Sequence, residues 1–315
     1  MKDWVLDKLI CPECKVLEMP LALTIREANA DDILDGELRC PDCYRRYPIR
    51  AGIAMLLPEN TRSVLKSAGG YNSPAMVSAY LWSHYGDLIG DCQATDAYRQ
   101  WSSLIPPHRG LALDVGCAVG RFSFELAKSH RHVIGVDTSI AFIHQARQIL
   151  NRRLLDFDLI IEGTLTEPRG CRFDDWDVGG VEFIVADAMA LPFRSRSFET
   201  VATLNLLEKV PDPRLHLKEI NRMLLAERAG FIFSDPFSWD PAVSPPETWL
   251  IGTGKGNGDY SRRGIDTLRR MFTGAFGIFD PPLKITAAGE VAWRIRKTAN
   301  LWEYITSQYL VGERS

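Results

Sequence analysis

The 315-residue chain has no run of 18 consecutive apolar residues and no excess of positive charge, with 37 lysines and arginines against 40 acidic residues. The first absence excludes a membrane-spanning helix. The second removes the global cationic field of many nucleic-acid binders and leaves only a local patch open. A disulfide framework is also missing: four of the seven cysteines fall in two CxxC pairs, while Cys92, Cys117 and Cys171 stand singly in unrelated contexts. The opening MKDWVLDKLICPEC is too acidic and too short in its apolar run for a secretory signal, so a soluble, cytoplasmic protein is expected. The length allows one large domain and an accessory module.

What is present begins with Cys11-Pro-Glu-Cys14 and Cys40-Pro-Asp-Cys43, separated by the 25 residues from Lys15 to Arg39. Four thiolates in two such turns can enclose a tetrahedral Zn2+ with no open position, which describes a structural site better than a redox pair. LALTIREANADDILDGELRC predicts two strands around a polar turn, and YPIRAGIAMLL a third. A unit this small cannot offset its chain entropy by burial, so the metal supplies much of its folding energy. Residues 1–60 are read as a zinc ribbon. They resemble the small zinc-ribbon protein that partners and activates several tRNA- and protein-modifying methyltransferases, on the segments LICPECK and GELRCPDCYRRYPIRAGIAMLLPE. The resemblance implies a scaffold or activator fused to an enzyme.

Residues 61–107 change to a helical pattern. Ser73-Pro74 is an N-cap followed by a first-turn proline, with Met76, Val77, Tyr80, Leu81, His84 and Tyr85 at helical spacing. A second helix is predicted from about Thr95 to Leu104, stopped by Pro106-Pro107. Such a segment either closes over a cofactor as a lid or packs its aromatics on the sheet.

The third region, 108–315, opens with RGLALDVG, an apolar strand running into Asp114 and the turn Gly116-Cys117-Ala118-Val119-Gly120. The three-glycine fingerprint of a dinucleotide fold is missing, because Ala118 stands between the glycines. A second strand, HVIGVDTS, ends at Asp137, 21 residues beyond Gly116, the place from which an acidic residue reaches a ribose diol. VEFIVADAMALPF carries Asp187, SFETVATLNLLEKVPDP ends a strand at Asn205, and RAGFIFSDP ends one at Asp235. Polar residues at successive strand ends fit a ligand at the carboxyl edge of a parallel sheet. Cys117 is read as a small residue with its backbone toward the ligand, since no histidine lies near it in sequence to activate the thiol.

Together these segments resemble the class I S-adenosylmethionine-dependent methyltransferases. The resemblance implies an α/β Rossmann-like fold with a mostly parallel seven-stranded sheet flanked by helices. It implies that the loop of Asp114, Gly116, Cys117, Ala118 and Gly120 meets the methionine part, Asp137 the ribose hydroxyls, Asp187 and Ala188 the adenine edge, and Asn205 the floor, with Thr138 also among the cofactor-binding residues. A cofactor without phosphates needs no close glycine turn, which makes Ala118 consistent with this binding. Asp114 either touches the ligand or holds the loop, and Asn205 either touches the acceptor or caps a turn.

YLWSHYG, GCAVGRFSFELA and NLLEKVPDPRLHL also resemble the methyltransferase domain of ovothiol-type biosynthesis, which N-methylates the imidazole of a sulfur-substituted histidine. That implies a small imidazole- or thiol-containing acceptor. An azole nitrogen needs no strong base, so Tyr80, Tyr85, Trp239 and Trp249 are expected as an aromatic cage and Asn205 or Asp235 as orienting groups. Tyr85, Asn205 and Asp235 are the expected catalytic residues. Two other readings stay open: a macromolecular acceptor gripped through Arg39, Arg45, Arg46 and Arg50, and a cofactor-binding scaffold without turnover.

Overall fold

The computed structural model describes residues 1–64, 70–106, 110–252 and 259–314. Pro107, expected to help stop the second helix, and the glycine-rich stretch 253–258 lie outside the described residues.

The first four strands are β1 (Ala22–Ala28), β2 (Ile33–Arg39), β3 (Arg46–Arg50) and β4 (Ile53–Leu56), an antiparallel meander. The single third strand expected from YPIRAGIAMLL is two strands, because Ala51 and Gly52 adopt φ of 48° and 78° and turn the chain between them. A side chain at Gly52 would meet the Arg147 guanidinium at 2.8 Å, so glycine serves both the turn and the packing. The short helix α1 (Glu59–Val64) follows, then α2 (Pro74–Tyr85) and α3 (Ala97–Ser103), close to the predicted helices. Ser73 caps α2 by accepting from the Met76 N–H at 3.3 Å.

The core continues with β5 (Leu111–Val115), α4 (Arg121–Leu126), β6 (His132–Asp137) and α5 (Ile140–Arg152). A separate antiparallel hairpin follows, β7 (Leu154–Glu162) with β8 (Leu165–Arg172). Next come β9 (Val181–Ala186), β10 (Thr200–Leu204), α6 (Pro213–Met223), β11 (Ala229–Asp235), α7 (Gly264–Phe272), β12 (Lys284–Arg296) and β13 (Trp302–Arg314).

Among the described residues, eleven strands form one sheet in the order β1-β2-β3-β4-β9-β6-β5-β10-β11-β13-β12. Its last seven strands are the expected Rossmann-like sheet, parallel except for the β13 and β12 pairings. The ribbon joins this sheet: β4 pairs in parallel with β9 through Met55 with Val185 and Leu56 with Ala186.

Alternation along the central strands sends neighbouring residues to opposite faces. Leu113 and Val115 belong to an apolar cluster with α6, α7 and the ribbon residues Val5, Leu38, Tyr47 and Ile49. Ala112 belongs to a second cluster with α2, α3, α4 and α5. The ribbon therefore shares a core with the larger sheet. Polar contacts fasten the same joint: Arg147 on α5 pairs with Asp32 of the ribbon at 2.9 Å and with Glu182 on β9. Removing one partner of such a buried set costs about 3–5 kcal/mol, because it leaves a charge uncompensated.

Candidate functional site

The ribbon's two cysteine turns converge. The sulfur atoms of Cys11, Cys14, Cys40 and Cys43 all lie within 4.8 Å of one another, and Cys11 and Cys43 are 3.7 Å apart. A tetrahedron with Zn–S bonds near 2.3 Å has edges of roughly 3.8 Å, so the four thiols fit a zinc ion and offer it no open position. The Tyr47 hydroxyl lies 3.2 Å from Cys11 Sγ and supports that ligand from the ribbon core.

The larger site lies at the carboxyl ends of β5, β6, β9 and β10. Strand β5 leads into a turn in which the Gly116 and Cys117 N–H groups both donate to the Val136 carbonyl, at 2.8 and 3.0 Å. Gly116 and Gly120 have φ of 80° and 87°, and a side chain at Gly116 would meet Leu206 at 2.9 Å. Ala118 also sits in the left-handed region, at φ 46°, where an L-residue costs roughly 1–2 kcal/mol. Its N–H donates to Asp137 Oδ2 at 3.0 Å, while the Ser139 N–H donates to Oδ1 at 2.8 Å. Each carboxylate oxygen keeps a lone pair for a further donor.

Two cavities meet at this carboxylate. One, of about 460 Å³, is lined by Asn60, Thr61, Asp137, Thr138, Asp187, Ala188 and Met189. Asp187 is fixed by the Met189 N–H at 2.8 Å and by the Thr61 hydroxyl. Asn60 closes the ribbon and Thr61 follows it, so the junction between the ribbon and the rest of the chain supplies part of this wall. The second cavity, of about 120 Å³, runs beneath Asp114, Gly116, Cys117, Ala118 and Asn205 and is enclosed by Tyr71, Tyr80, Tyr98, Phe142 and Trp293. Tyr71 is held over it because Ser139 donates to the Tyr71 carbonyl at 3.2 Å and to Asn72 Oδ1 at 3.0 Å.

Charge in the small cavity is unbalanced. Burial raises Asp114 to about 7 against the hydrogen bond from Ser123 at 2.7 Å, and burial raises Asp137 to about 6. Lys209 lines both cavities and pairs with Glu208 at 2.8 Å. A ligand carrying a positive group beside the two aspartates fits this donor and acceptor set. His84, also on the wall, is buried, and Nδ1 has no hydrogen-bond partner among the described residues. Burial first, and then Arg121, hold its ring neutral by driving its pKa well below the usual histidine value.

Several expected site residues are brought together here: Asp114, Gly116, Cys117, Ala118, Asp137, Thr138 and Asn205 line the small cavity. Gly120 stands behind the loop as the N-cap of α4, where a side chain would strike Phe183 at 2.7 Å. Asp187 and Ala188 line the larger cavity. Three expectations need correction. Tyr85 is fully buried and does not line either cavity; its hydroxyl donates to the Val119 carbonyl at 2.8 Å and braces the loop from behind. Asp235 is also off both walls, accepting from the Phe237 N–H at 2.8 Å, and burial, reinforced by Glu208, raises it to about 8. Trp239 and Trp249 stack on each other with centroids 6.0 Å apart, away from the cavities. Of the expected cage only Tyr80 remains, joined by Tyr71, Tyr98 and Trp293. Trp293 comes from a strand some 180 residues beyond the loop, and its neighbours in sequence carry no signal of a site.

Residues 113–229 match the family model described as a methyltransferase domain, and residues 4–52 match that of Trm112p-like proteins. The 2-methyl-6-phytyl-1,4-hydroquinone methyltransferase of Synechocystis sp. (strain ATCC 27184 / PCC 6803 / Kazusa) is 28% identical over 194 residues, 56% of this chain and 53% of that protein. The chain thus spans about half the length of that curated relative. Among solved structures, magnesium protoporphyrin IX methyltransferase from Synechocystis PCC 6803 with bound SAH is similar at 16% identity, over 81% of this chain and 100% of that one, with a TM-score of 0.45. The complex of the Haloferax volcanii Trm112 methyltransferase activator with a methyltransferase is similar at 16% identity, over 76% of this chain and 97% of that one, with a TM-score of 0.44. Among the described residues no helix is long and apolar enough to cross a membrane. The segment that matches the Trm112p-like model holds the four-cysteine cluster, and the segment that matches the methyltransferase-domain model carries the strands β5, β6, β9 and β10 whose ends form the two cavities.

Proposed function

We propose that this chain methylates a small aromatic metabolite, with the imidazole nitrogen of a mercaptohistidine-like compound as the narrower reading. The observation that carries the proposal is the pair of cavities meeting at Asp137, one flanked by Thr61 and Asp187, the other closed by aromatic rings. When bound, S-adenosylmethionine supplies an electrophilic methyl group on a sulfonium.

The chain's own residues divide the remaining work. Asp137 takes ribose hydroxyls on its unused lone pairs while the Ala118 and Ser139 N–H groups hold it in place. Asp187 and Ala188 flank the adenine edge, and Thr138 lies at the junction. Asp114 acts by way of Ser123, which fixes the start of α4 under the loop, and its carboxylate favours a cation nearby. Tyr71, Tyr80, Tyr98 and Trp293 exclude water and hold a flat acceptor, while Asn205 orients it. Fixing two reactants in this way can contribute about 7 kcal/mol or more toward a barrier. His84 is held neutral with its basicity lowered and Asp235 lines neither cavity, which suits an azole nitrogen that attacks through its own lone pair.

The macromolecular reading is weaker because the arginines that favour it are engaged. Arg39 lies over Tyr44 at 5.1 Å, Arg45 pairs with Glu59 at 2.6 Å, Arg46 with Glu37 at 3.5 Å and Arg50 with Asp35 at 2.8 Å. Labelled S-adenosylmethionine incubated with the protein and either a metabolite extract or RNA distinguishes them. Label in a small imidazole-containing product supports the proposal. Label in RNA or protein alone, or cofactor binding without turnover, contradicts it.

A further inference from the structure

Asn205, on the floor of the aromatic cavity, is not free to choose which end of its amide it presents. The indole Nε1–H of Trp293 on β12 donates to Ser307 Oγ at 2.9 Å, and Ser307 Oγ donates to Asn205 Oδ1 at 2.6 Å. The order of this chain follows from chemistry. An indole N–H can only donate, so the serine oxygen accepts there and its own hydrogen must find another acceptor. Ser307 is fully buried, and the Asn205 carbonyl oxygen is the partner it reaches. The Asn205 backbone is pinned as well, with φ at 57° and its N–H donated to the Ser234 carbonyl at 2.6 Å.

With Oδ1 occupied, the amide nitrogen is the group left over. The Asn205 side chain lines the cavity, and Trp293, the first member of the relay, is part of the same wall. His84, buried on that wall with Nδ1 unpartnered among the described residues, shows that the cavity's polar groups are not satisfied from within.

We infer that Trp293 and Ser307 are positioning residues that turn the Asn205 amide N–H2 toward the acceptor. The pocket then selects an acceptor that offers a hydrogen-bond-accepting atom beside the attacking one, such as a thiolate on an azole ring whose own nitrogen lone pair stays free, over one that offers only a donor. The inference rests on the reading of this cavity as the acceptor pocket and narrows it to a hydrogen-bonding class. Had the relay run the other way, Asn205 would present its carbonyl oxygen and select an N–H or O–H donor.

Two small probes of similar size test this on the full-length, zinc-loaded protein without turnover: pyridine, which only accepts, and pyrrole, which only donates. Their affinities are read by NMR titration of the wild type, Ser307→Ala and Asn205→Asp, with thermal unfolding recorded for each. The wild type is expected to prefer pyridine by about tenfold, the value of one net hydrogen bond. Ser307→Ala frees the amide to rotate and should reduce the preference to under about threefold. Should that variant fail to fold, Asn205→Asp, which keeps size and tolerates positive φ, should abolish the preference for pyridine. Equal binding by the wild type, a preference for pyrrole, no binding of either probe, or an unchanged preference in the folded variants would overturn the inference. Calorimetry with S-adenosylmethionine on the same samples keeps the two readings separate: failure to bind it removes the proposed function, and the probe preference still decides the polarity of the pocket.

Discussion

The two halves of the cleft are built in different ways. The larger cavity takes its walls from consecutive strand ends, Asp137 and Asp187 to Met189, and from Asn60 and Thr61 just beyond the ribbon. The aromatic cavity is closed by side chains from four separate places, Tyr71, Tyr80, Tyr98 and Trp293. Parallel strands that share a register bring their carboxyl ends to one edge, so the first half is a consequence of the fold itself. The second half depends on which helix and which distant strand pack over that edge. A fold of this kind can therefore keep the half built from strand ends while the half closed by packed rings changes.

This contrast can be broken at several points. The largest effect is expected from removing zinc with a strong chelator, because the ribbon's folding energy depends on the metal and β4 borders β9. Unfolding temperature should fall by more than Asp137→Ala or Thr61→Val lowers it, and cofactor affinity should fall with it. Near-ultraviolet circular dichroism from the tryptophans around the aromatic cavity should change less, since α2 and β12 pack on the opposite cluster. Equal loss on both sides would mean that the halves are not built independently.

Asp137→Ala comes next. It removes the acceptor for two backbone N–H groups and for the proposed ribose contacts, and should weaken S-adenosylmethionine binding about ten- to a hundredfold by calorimetry. In the wild type, affinity should decline as pH drops through about 6, because burial raises this carboxyl to about 6 and its protonated form loses acceptor capacity. Thr61→Val deletes the hydroxyl that donates to Asp187 and should weaken the same binding by about three- to tenfold, which isolates the contribution of the segment just beyond the ribbon. The smallest change is Ala118→Gly, which relieves a left-handed alanine and should raise stability by no more than about 1 kcal/mol, as read by denaturant unfolding.

The same contrast explains what was legible in the sequence. The two CxxC turns and the residues Asp114, Asp137 and Asp187 could be read because each depends on local spacing or on a strand end, features written within a few residues. The helices at Pro74 and Ala97 were legible through a cap and apolar periodicity. Tyr85, Asp235, Trp239 and Trp249 were misplaced because their sequence contexts, a helical aromatic stripe and a strand end, suit bracing and packing as well as ligand contact. Tyr71, Tyr98, Trp293 and Ser307 were missed because they come together only through tertiary packing. The joining of the ribbon to the main sheet was equally hidden, since a strand does not announce its partner across some 130 residues.

The central claim is that the cleft holds its cofactor in one orientation, with the adenosine between Thr61 and Met189 and the reacting end under the aromatic rings. A crystal structure of the protein with S-adenosylhomocysteine tests it directly. The account predicts ribose hydroxyls on Asp137, adenine beside Asp187 and Ala188, and the sulfur opening toward Tyr80 and Asn205. Adenine seated among the tyrosines, or a ligand bound outside these two cavities, would contradict it.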